Sequence, residues 1–388
     1  MHAEIIATGS ELLLGEVVDT NSPYIARRLR EIGLNLYYKT IVGDNEQRME
    51  EALRIALHRS DVIITTGGLG PTVDDVTRPA VARAVDRELI FSDELLAQIQ
   101  ARFRAYGVPM GENNRRQAYL PQGAVPIENP VGTAPCFIVE EQGHIIISLP
   151  GVPREMEYLM EHVVLPYLKD KLHLTDVIVI RTLHTVGQGE SRIDEAIGDL
   201  ETSANPTVGL SAKAGQVDIR ITAKAATPEE AHALNAGMEQ RVRDKVGQHI
   251  FGADADTLES VVARLLADKH LSLASAEAGT GGLLGGRLAR LGEAFHGAAM
   301  MADGALIDLA AVTEAAHAIR SDRGSDFGLC ASVIASPDQR GLKLMIALVT
   351  PGDVKTVERG FGGHSALAGQ WASTAALGLV WRNVKSDE

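Results

Sequence analysis

Aromatic residues make up only 4% of this 388-residue chain, and two of them are tryptophan. Proteins that hold unpaired bases do so on aromatic stacking platforms, so single-strand binding is disfavoured, and no RNP-type pattern is present. Runs of Lys and Arg are also missing. The formal charge of -14 is spread along the sequence, which disfavours contact with phosphate backbones or anionic lipid. Cysteine is nearly absent: Cys136 and Cys330 lie far apart, without the clustered Cys/His spacing of a zinc site or a disulfide framework, and a reducing cytoplasm fits best. No stretch of about 18 apolar residues occurs. The opening Met1, His2, Ala3, Glu4 has neither the basic stretch nor the apolar core of an export signal. The expectation is a cytoplasmic protein with no membrane and no direct nucleic-acid partner.

What is present is 45% hydrophobic residues over a length suited to two or three domains. In residues 1–170, apolar strand-like runs (HAEIIATG, LYYKTIVG, DVIITTGG, HIIISLPG) alternate with helical patterns (PYIARRLREIGL, EQRMEEALRIALHRS). That alternation predicts an α/β domain with a parallel sheet covered by helices on both faces. A helix with proline in its first turn, PREMEYLMEHVVLPYLKD, closes it. Residues 175–252 read as strand, helix, strand, strand, helix, a small α+β middle domain. Residues 255–385 turn rich in Ala, Gly and Leu and read as a third, α/β domain.

The run DVIITTGGLGPTVDD, Asp61 to Asp75, is a buried strand leading into Gly67, Gly68 and Gly70 and then a helix. Glycines allow close backbone approach, and the N–H groups opening a helix favour an anion, so a pyrophosphate fits there. The plainer alternative is that the glycines only turn the chain while Thr72 and Asp75 form a capping pair. Asp75 is also placed to hold a divalent cation beside bound phosphates, and the two roles are compatible. Asp44, closing the strand before, falls on the same carboxyl edge, where ligands bind in such sheets; alone it reads as a helix cap.

Five motifs occur in order: TGSELLLG (Thr8, Gly9, Glu11) with Asn21 soon after; VGDN with Asp44; TGGLGPTVDD with Gly67, Gly68, Gly70, Pro71, Thr72 and Asp75; NPVGTAP with Gly132; and LPGVPREM with Pro150, Gly151 and Glu155. They resemble the molybdopterin-binding fold as it occurs in the CinA (competence/damage-inducible) family. Ala212, Lys213 and the strand from Asp218 to Lys224 extend the resemblance through the middle domain. The resemblance implies a three-layer N-terminal domain, homodimerisation, and metal-dependent hydrolysis of ADP-ribose to AMP and ribose 5-phosphate. By that analogy Asp44 and Asp75 hold the metal (Mg, Mn or Co) and orient water. The Gly67–Gly70 amides bind diphosphate, and Lys213 balances developing charge. Taken alone, Lys213, Glu11 and Glu155 read as solvated side chains.

In the third domain, LSLASAE followed by AGTGG resembles the opening of a nicotinamide-mononucleotide deamidase domain, where the family has Glu-Ser-Cys-Thr-Gly-Gly. Here Ala278 replaces the nucleophilic serine and Gly279 the cysteine, while Glu277, Thr280, Gly281 and Gly282 remain. Acyl transfer needs an ionisable oxygen or sulfur at that position. A Tyr and a Lys of the family pattern are replaced at Ala302 and Ile307. A glycine-bearing loop reads Ser332 to Pro337, with Val333 and Ser336 replacing two glycines, and a terminal Asp-Arg reads His364-Ser365. His364 and Ser275 are poor replacements for the lost groups. The domain is expected to fold but not to hydrolyse amides.

Two functional classes follow. The leading one is a hydrolase of ADP-ribose or a related nucleotide. The other is a scaffold that binds a nucleotide or pterin without turnover in a competence or DNA-damage response, with a recombination or competence protein as partner. A remodelled deamidase is a third, which Ala278 opposes.

Overall fold

The computed structural model describes residues 1–335, 341–362 and 365–385. The chain divides into two compact units, Met1–Val179 with Lys224–Ala231, and Ile180–Ala223 with His232–Glu388.

In the first unit the elements run β1 (His2–Thr8), α1 (Ser10–Leu14), α2 (Asn21–Glu31), β2 (Asn35–Val42), α3 (Glu46–Leu57), β3 (Val62–Thr66), α4 (Thr77–Ala84), β4 (Leu89–Phe91), α5 (Asp93–Ala105), β5 (Tyr119–Pro121), β6 (Val125–Ile127), β7 (Cys136–Glu141), β8 (His144–Leu149), α6 (Pro153–Leu159) and α7 (Leu165–Leu172). The main sheet has the order β2-β1-β3-β8-β7-β6, and β4 pairs with β5 apart from it. Strands β1 and β3 are apolar and buried along nearly their whole length, as expected of central parallel strands covered on both faces. Their isoleucines (Ile5, Ile6, Ile63, Ile64) share one core with Leu29, Met49, Leu53 and Leu159 from the helices. The one charge in β1, Glu4, is fully buried but takes hydrogen bonds from Arg59, Thr40 and Ser60, which is how a buried carboxylate is tolerated.

The four strands β2, β1, β3 and β8 are parallel, as the alternation of strands and helices predicts. The sheet as a whole is mixed, however, because β7 runs antiparallel to both β8 and β6. The cause is local: Gln142 and Gly143 both have positive φ, 48° and 90°, the backbone of a two-residue hairpin turn. Residues 153–172 also differ from the single helix read from the sequence. A π-helical turn, Met160–Val164, separates α6 from α7, ahead of Pro166, which has no N–H to continue the ladder.

The second unit continues through β9 (Val177–Val186), α8 (Glu190–Glu201), β10 (Thr207–Lys213), β11 (Gln216–Ala225), α9 (Pro228–Val246) and β12 (Ile250–Ala253), which give a sheet of order β10-β11-β9-β12. It then adds α10 (Leu258–Asp268), β13 (Leu273–Ala278), α11 (Leu283–Leu288), β14 (Phe295–Met300), α12 (Leu309–Arg323), β15 (Phe327–Ala335), β16 (Leu342–Val349), β17 (Val354–Phe361) and α13 (Ala368–Lys385), with a sheet of order β14-β13-β15-β16-β17. Val186 and Phe251, from the four-stranded sheet, belong to the same hydrophobic cluster as Leu329, Ile346 and Trp381. The two sheets of this unit therefore share a core.

Among the described residues no helix is long and apolar enough to cross a membrane. Cys136 and Cys330 are free and buried, and burial pushes each thiol up to about 12, leaving both unreactive.

Candidate functional site

The parallel strands of the first unit end in register. Thr8 lies opposite Val42, Ala7 opposite Thr66, and Thr66 opposite Leu149. The motif loops that follow each strand therefore emerge side by side on one carboxyl edge. They also touch through backbone. Gly67 has φ 105°, and a Cβ there would stand 2.4 Å from the Thr8 carbonyl oxygen, while one on Gly151 would be 3.3 Å from the Gly67 Cα. Side chains cannot occupy this junction. Asn21 ties it together: its Nδ2 donates to Thr66 Oγ1 (2.9 Å) and to the Gly151 carbonyl (2.8 Å), and Thr66 Oγ1 donates to the Pro150 carbonyl (3.0 Å). The Asn21 Oδ1 is buried without a partner.

Two adjoining cavities open along this edge. One of about 140 Å³ is lined by Thr8, Glu11, Asn21 and Thr66, among others. The other, about 310 Å³, is lined by Gly68, Gly70, Asp75, Pro150 and Glu155. Gly151 borders both. Gly9 lies beneath the Glu11 carboxylate, and Gly132 lies against Glu155, which also takes a 2.6 Å hydrogen bond from Asn129. Gly67, Pro71 and Thr72 support the larger cavity without lining it.

Asp75 organises the glycine loop. One carboxylate oxygen accepts the Gly70 N–H (2.7 Å), and the other accepts both the N–H (2.8 Å) and the hydroxyl (2.6 Å) of Thr72. The Thr72–Asp75 pair is thus real but does not cap a helix: α4 begins only at Thr77, so the expected helix N-terminus directly after the glycines is displaced. Thr77 instead closes the loop from behind, its N–H donating to the Gly68 carbonyl and its hydroxyl to that of Gly67. The Gly67 N–H donates to Leu149. Two of the amides expected to meet a diphosphate, those of Gly67 and Gly70, are therefore already engaged.

Asp44 also acts on backbone. It accepts the Ser10 N–H at 2.8 Å, and Ser10 Oγ accepts the Asp44 N–H at 3.1 Å, fixing the turn into α1. Asp44 lines neither cavity. Among the described residues no cluster of three or more His, Cys, Asp or Glu side chains could hold a metal unaided. The larger cavity does present two carboxylates, Asp75 and Glu155. Oxygen donors of this number suit a magnesium-type ion that draws its other ligands from phosphates and water.

A residue that sequence reasoning missed stands behind the loop. Arg78, on the first turn of α4, is 4% exposed. It donates to the carbonyls of Leu69 (2.8 Å) and Pro135 (2.9 Å), bracing the glycine loop against the NPVGTAP segment. The only signal was an arginine three residues after Asp75 at a position that faces inward on a helix.

Lys213 belongs to the second unit, where its Nζ pairs with Asp218 Oδ2 at 2.5 Å. Asp218 Oδ1 lies 2.7 Å from His184 Nδ1. The hydrogen bond to Asp218 outweighs burial and raises the His184 pKa. For Asp218 burial works upward, but the bonds from His184 and Lys213 prevail and lower it.

In the third sheet, Ala278 ends β13 at 3% exposure, paired with Ser332. Glu277 is spent on structure: it accepts from the Thr280 hydroxyl and from the Leu284 (3.0 Å) and Gly285 (2.8 Å) N–H groups at the start of α11. Gly279, with φ 69°, packs so that a Cβ would stand 2.0 Å from the Val333 carbonyl oxygen. Ala302 and Ile307 lie in the loop after β14 and are exposed, next to Asp303, which accepts the Gly279 N–H. Ser275 is buried inside the strand with its hydroxyl unpartnered. Ser336, Pro337, His364 and the Ser365 side chain lie outside the described residues.

A family model described as a probable molybdopterin binding domain matches residues 4–170, and one for the KH domain of damage-inducible protein CinA matches 180–252. A protein of Halothermothrix orenii named for competence-damage induction is 37% identical over 413 aligned positions, 99% of each chain. Another so named, from Alkaliphilus oremlandii, is 45% identical over 74% of this chain and 70% of its own. Among solved structures, a CinA protein from Thermoplasma acidophilum, titled as having unknown function, is 36% identical and covers 44% of this chain and 96% of its own, with a TM-score of 0.40.

Proposed function

The chain belongs to the competence-damage inducible (CinA) family, and we propose that its first unit is a metal-dependent hydrolase that cleaves ADP-ribose, or a related nucleoside diphosphate derivative, to AMP and ribose 5-phosphate. The observation that carries the proposal is the cavity of about 310 Å³ in which Asp75 and Glu155 face the glycine loop. It is lined by two carboxylates and by glycine-loop backbone, which suits a diphosphate that arrives with a cation.

In this reading the diphosphate occupies the larger cavity, and the adjoining one beside Asn21 and Glu11 takes part of a nucleoside or ribose. Asp75 and Glu155 would hold the cation together with phosphate oxygens. When bound, that cation supplies charge neutralisation and a more acidic water. Before the diphosphate binds, Asp75 keeps the Gly70 and Thr72 donors in place, and Asn21 fixes the Gly151 turn that both cavities share. Water adds to one phosphorus as the bridging P–O bond breaks, giving the two monophosphates. Asp44 acts as a positioning residue for the Thr8–Ser10 turn. Lys213 pairs with Asp218 in the second unit.

A second reading, binding of a nucleotide or pterin without turnover, has one observation in its favour: the Gly67 and Gly70 amides and the Asp75 carboxylate already satisfy protein groups. Incubating the protein with ADP-ribose, with and without Mg, Mn or Co, and following AMP separates the two. Metal-dependent AMP that disappears in Asp75→Asn supports the hydrolase. No AMP under any of the metals sinks it in favour of the binding module. The third sheet is proposed to have no amidohydrolase activity, since no nucleophile stands at the end of β13.

A further inference from the structure

We propose that Arg78 is a positioning residue for the anion at the glycine loop: a buried cation with no carboxylate of its own, whose charge is reserved for the phosphates that the loop receives. The inference rests on the reading of the first unit as a diphosphate site. It concerns a residue outside the five motifs.

Burying a guanidinium is costly unless its charge is answered and its donors are used. Arg78 meets only part of that requirement. Nη1 and Nη2 each donate to a carbonyl, of Leu69 and Pro135, while Nε is buried with no partner. Among the described residues no ion pair joins Arg78 to a carboxylate. Burial lowers its pKa to about 10 from the ordinary arginine range, and the Asp75 charge acts the other way without reversing it. The side chain nevertheless stays charged near neutrality. A cation held so deep without a counter-ion is stabilising only if an anion completes the site.

Its position says where that anion sits. Leu69 lines the larger cavity between Gly68 and Gly70, and Thr133 and Ala134, which precede Pro135, line the same cavity. Arg78 thus lies behind both walls. By fixing the Leu69 carbonyl inward it turns the Leu69–Gly70 peptide so that the Gly70 N–H faces the cavity side, where Asp75 now accepts it. The Asp75 carboxylate occupies the place of an oxyanion on this loop. A phosphate oxygen that took over the Gly70 and Thr72 donors would free Asp75 to turn toward a cation, with the Arg78 charge favouring the exchange.

The test is ligand binding to the full chain, wild type against Arg78→Lys, Arg78→Gln and Arg78→Met, using inorganic pyrophosphate and ADP-ribose as anionic probes and adenosine as the neutral one. Loss of one charge acting across about 8 Å at an effective dielectric near 20 predicts about 30-fold weaker pyrophosphate binding in Arg78→Gln and Arg78→Met. Arg78→Lys is expected within about fivefold of wild type, and adenosine affinity within about twofold throughout. Thermal midpoints are read alongside. If Arg78→Met does not fold, Lys against Gln carries the comparison, since both can donate to one carbonyl and only Lys is charged. Equal pyrophosphate affinity in Lys and Gln overturns the proposal, as does a parallel loss of adenosine, which marks a merely structural brace. Wild-type protein that binds neither anionic probe overturns both this proposal and the diphosphate reading. Tight pyrophosphate binding without ADP-ribose hydrolysis removes only the hydrolase, and the Arg78 comparison still decides.

Discussion

Three residues at the strand edge show how different chemistries meet in a few ångströms. Gly67 is there for space: with φ 105° and the Thr8 carbonyl oxygen 2.4 Å from any added Cβ, Gly67→Ala combines backbone strain with a clash. A loss of about 2 kcal/mol or more in urea denaturation is expected; a change within error would mean the junction is soft. Asp75 and Asp44 both accept backbone N–H groups, but only Asp75 lines a cavity. Asp75→Asn is therefore expected to lower metal-dependent AMP formation by about 100-fold or more, and Asp44→Asn by less than about tenfold. The reverse order would return the metal to Asp44. Sequence alone had paired these two carboxylates, because both follow strands that end on one edge. It had no means of seeing that Asp44 turns back onto Ser10. Arg78 was equally illegible, since a buried arginine and a solvated one look alike in a helical pattern.

At the scale of elements, strands with continuous apolar runs and helices with a clear apolar face were legible. The parallel set β2, β1, β3, β8 follows from them, and so do β9 to β11 with α8 and α9. Several elements escaped, the long helices α5 and α12 and strand β15 among them, together with short pieces set by turn chemistry: β7, made antiparallel by the Gln142–Gly143 turn, β12, and the π-helical turn before Pro166. Pairings between strands also bring together side chains that no spacing announces, as with His184 on β9 and Asp218 on β11. This pair gives the second unit a pH dependence. The folded His184 pKa lies above its unfolded value, so its contribution is full below the ordinary histidine range and is lost as pH rises through the raised value. The folded Asp218 pKa lies below its unfolded value, so its contribution is present above the ordinary aspartate range and is lost as pH falls. Stabilisation is thus greatest between the two. The thermal midpoint of the full chain should fall as pH rises from the ordinary histidine range through the raised His184 value. His184→Gln should flatten that decline, and an unchanged slope would show that the pair does not titrate in this range.

Across the whole molecule, the five motifs of the first unit meet along one strand edge, while in the third sheet the end of β13 presents no nucleophile. Ala278 offers a methyl group where a nucleophile would stand, and its side chain is buried at the end of β13. The ideal Cβ of Gly279 falls 2.0 Å from the Val333 carbonyl oxygen, so a cysteine there would require β15 or the loop to move. The Glu277 carboxylate is already engaged, holding the first turn of α11 through Thr280, Leu284 and Gly285. Restoring one group should consequently not restore activity. The full chain is expected to release no ammonia from nicotinamide mononucleotide, and Ala278→Ser is expected to release none either, because an isolated hydroxyl without a base is a poor nucleophile at neutral pH. Both proteins should hydrolyse ADP-ribose alike. Ammonia from the wild type would mean that another side chain has taken over the nucleophile's work. Ammonia from Ala278→Ser alone would mean that a base and an oxyanion site survive, and that this sheet stands one substitution from activity.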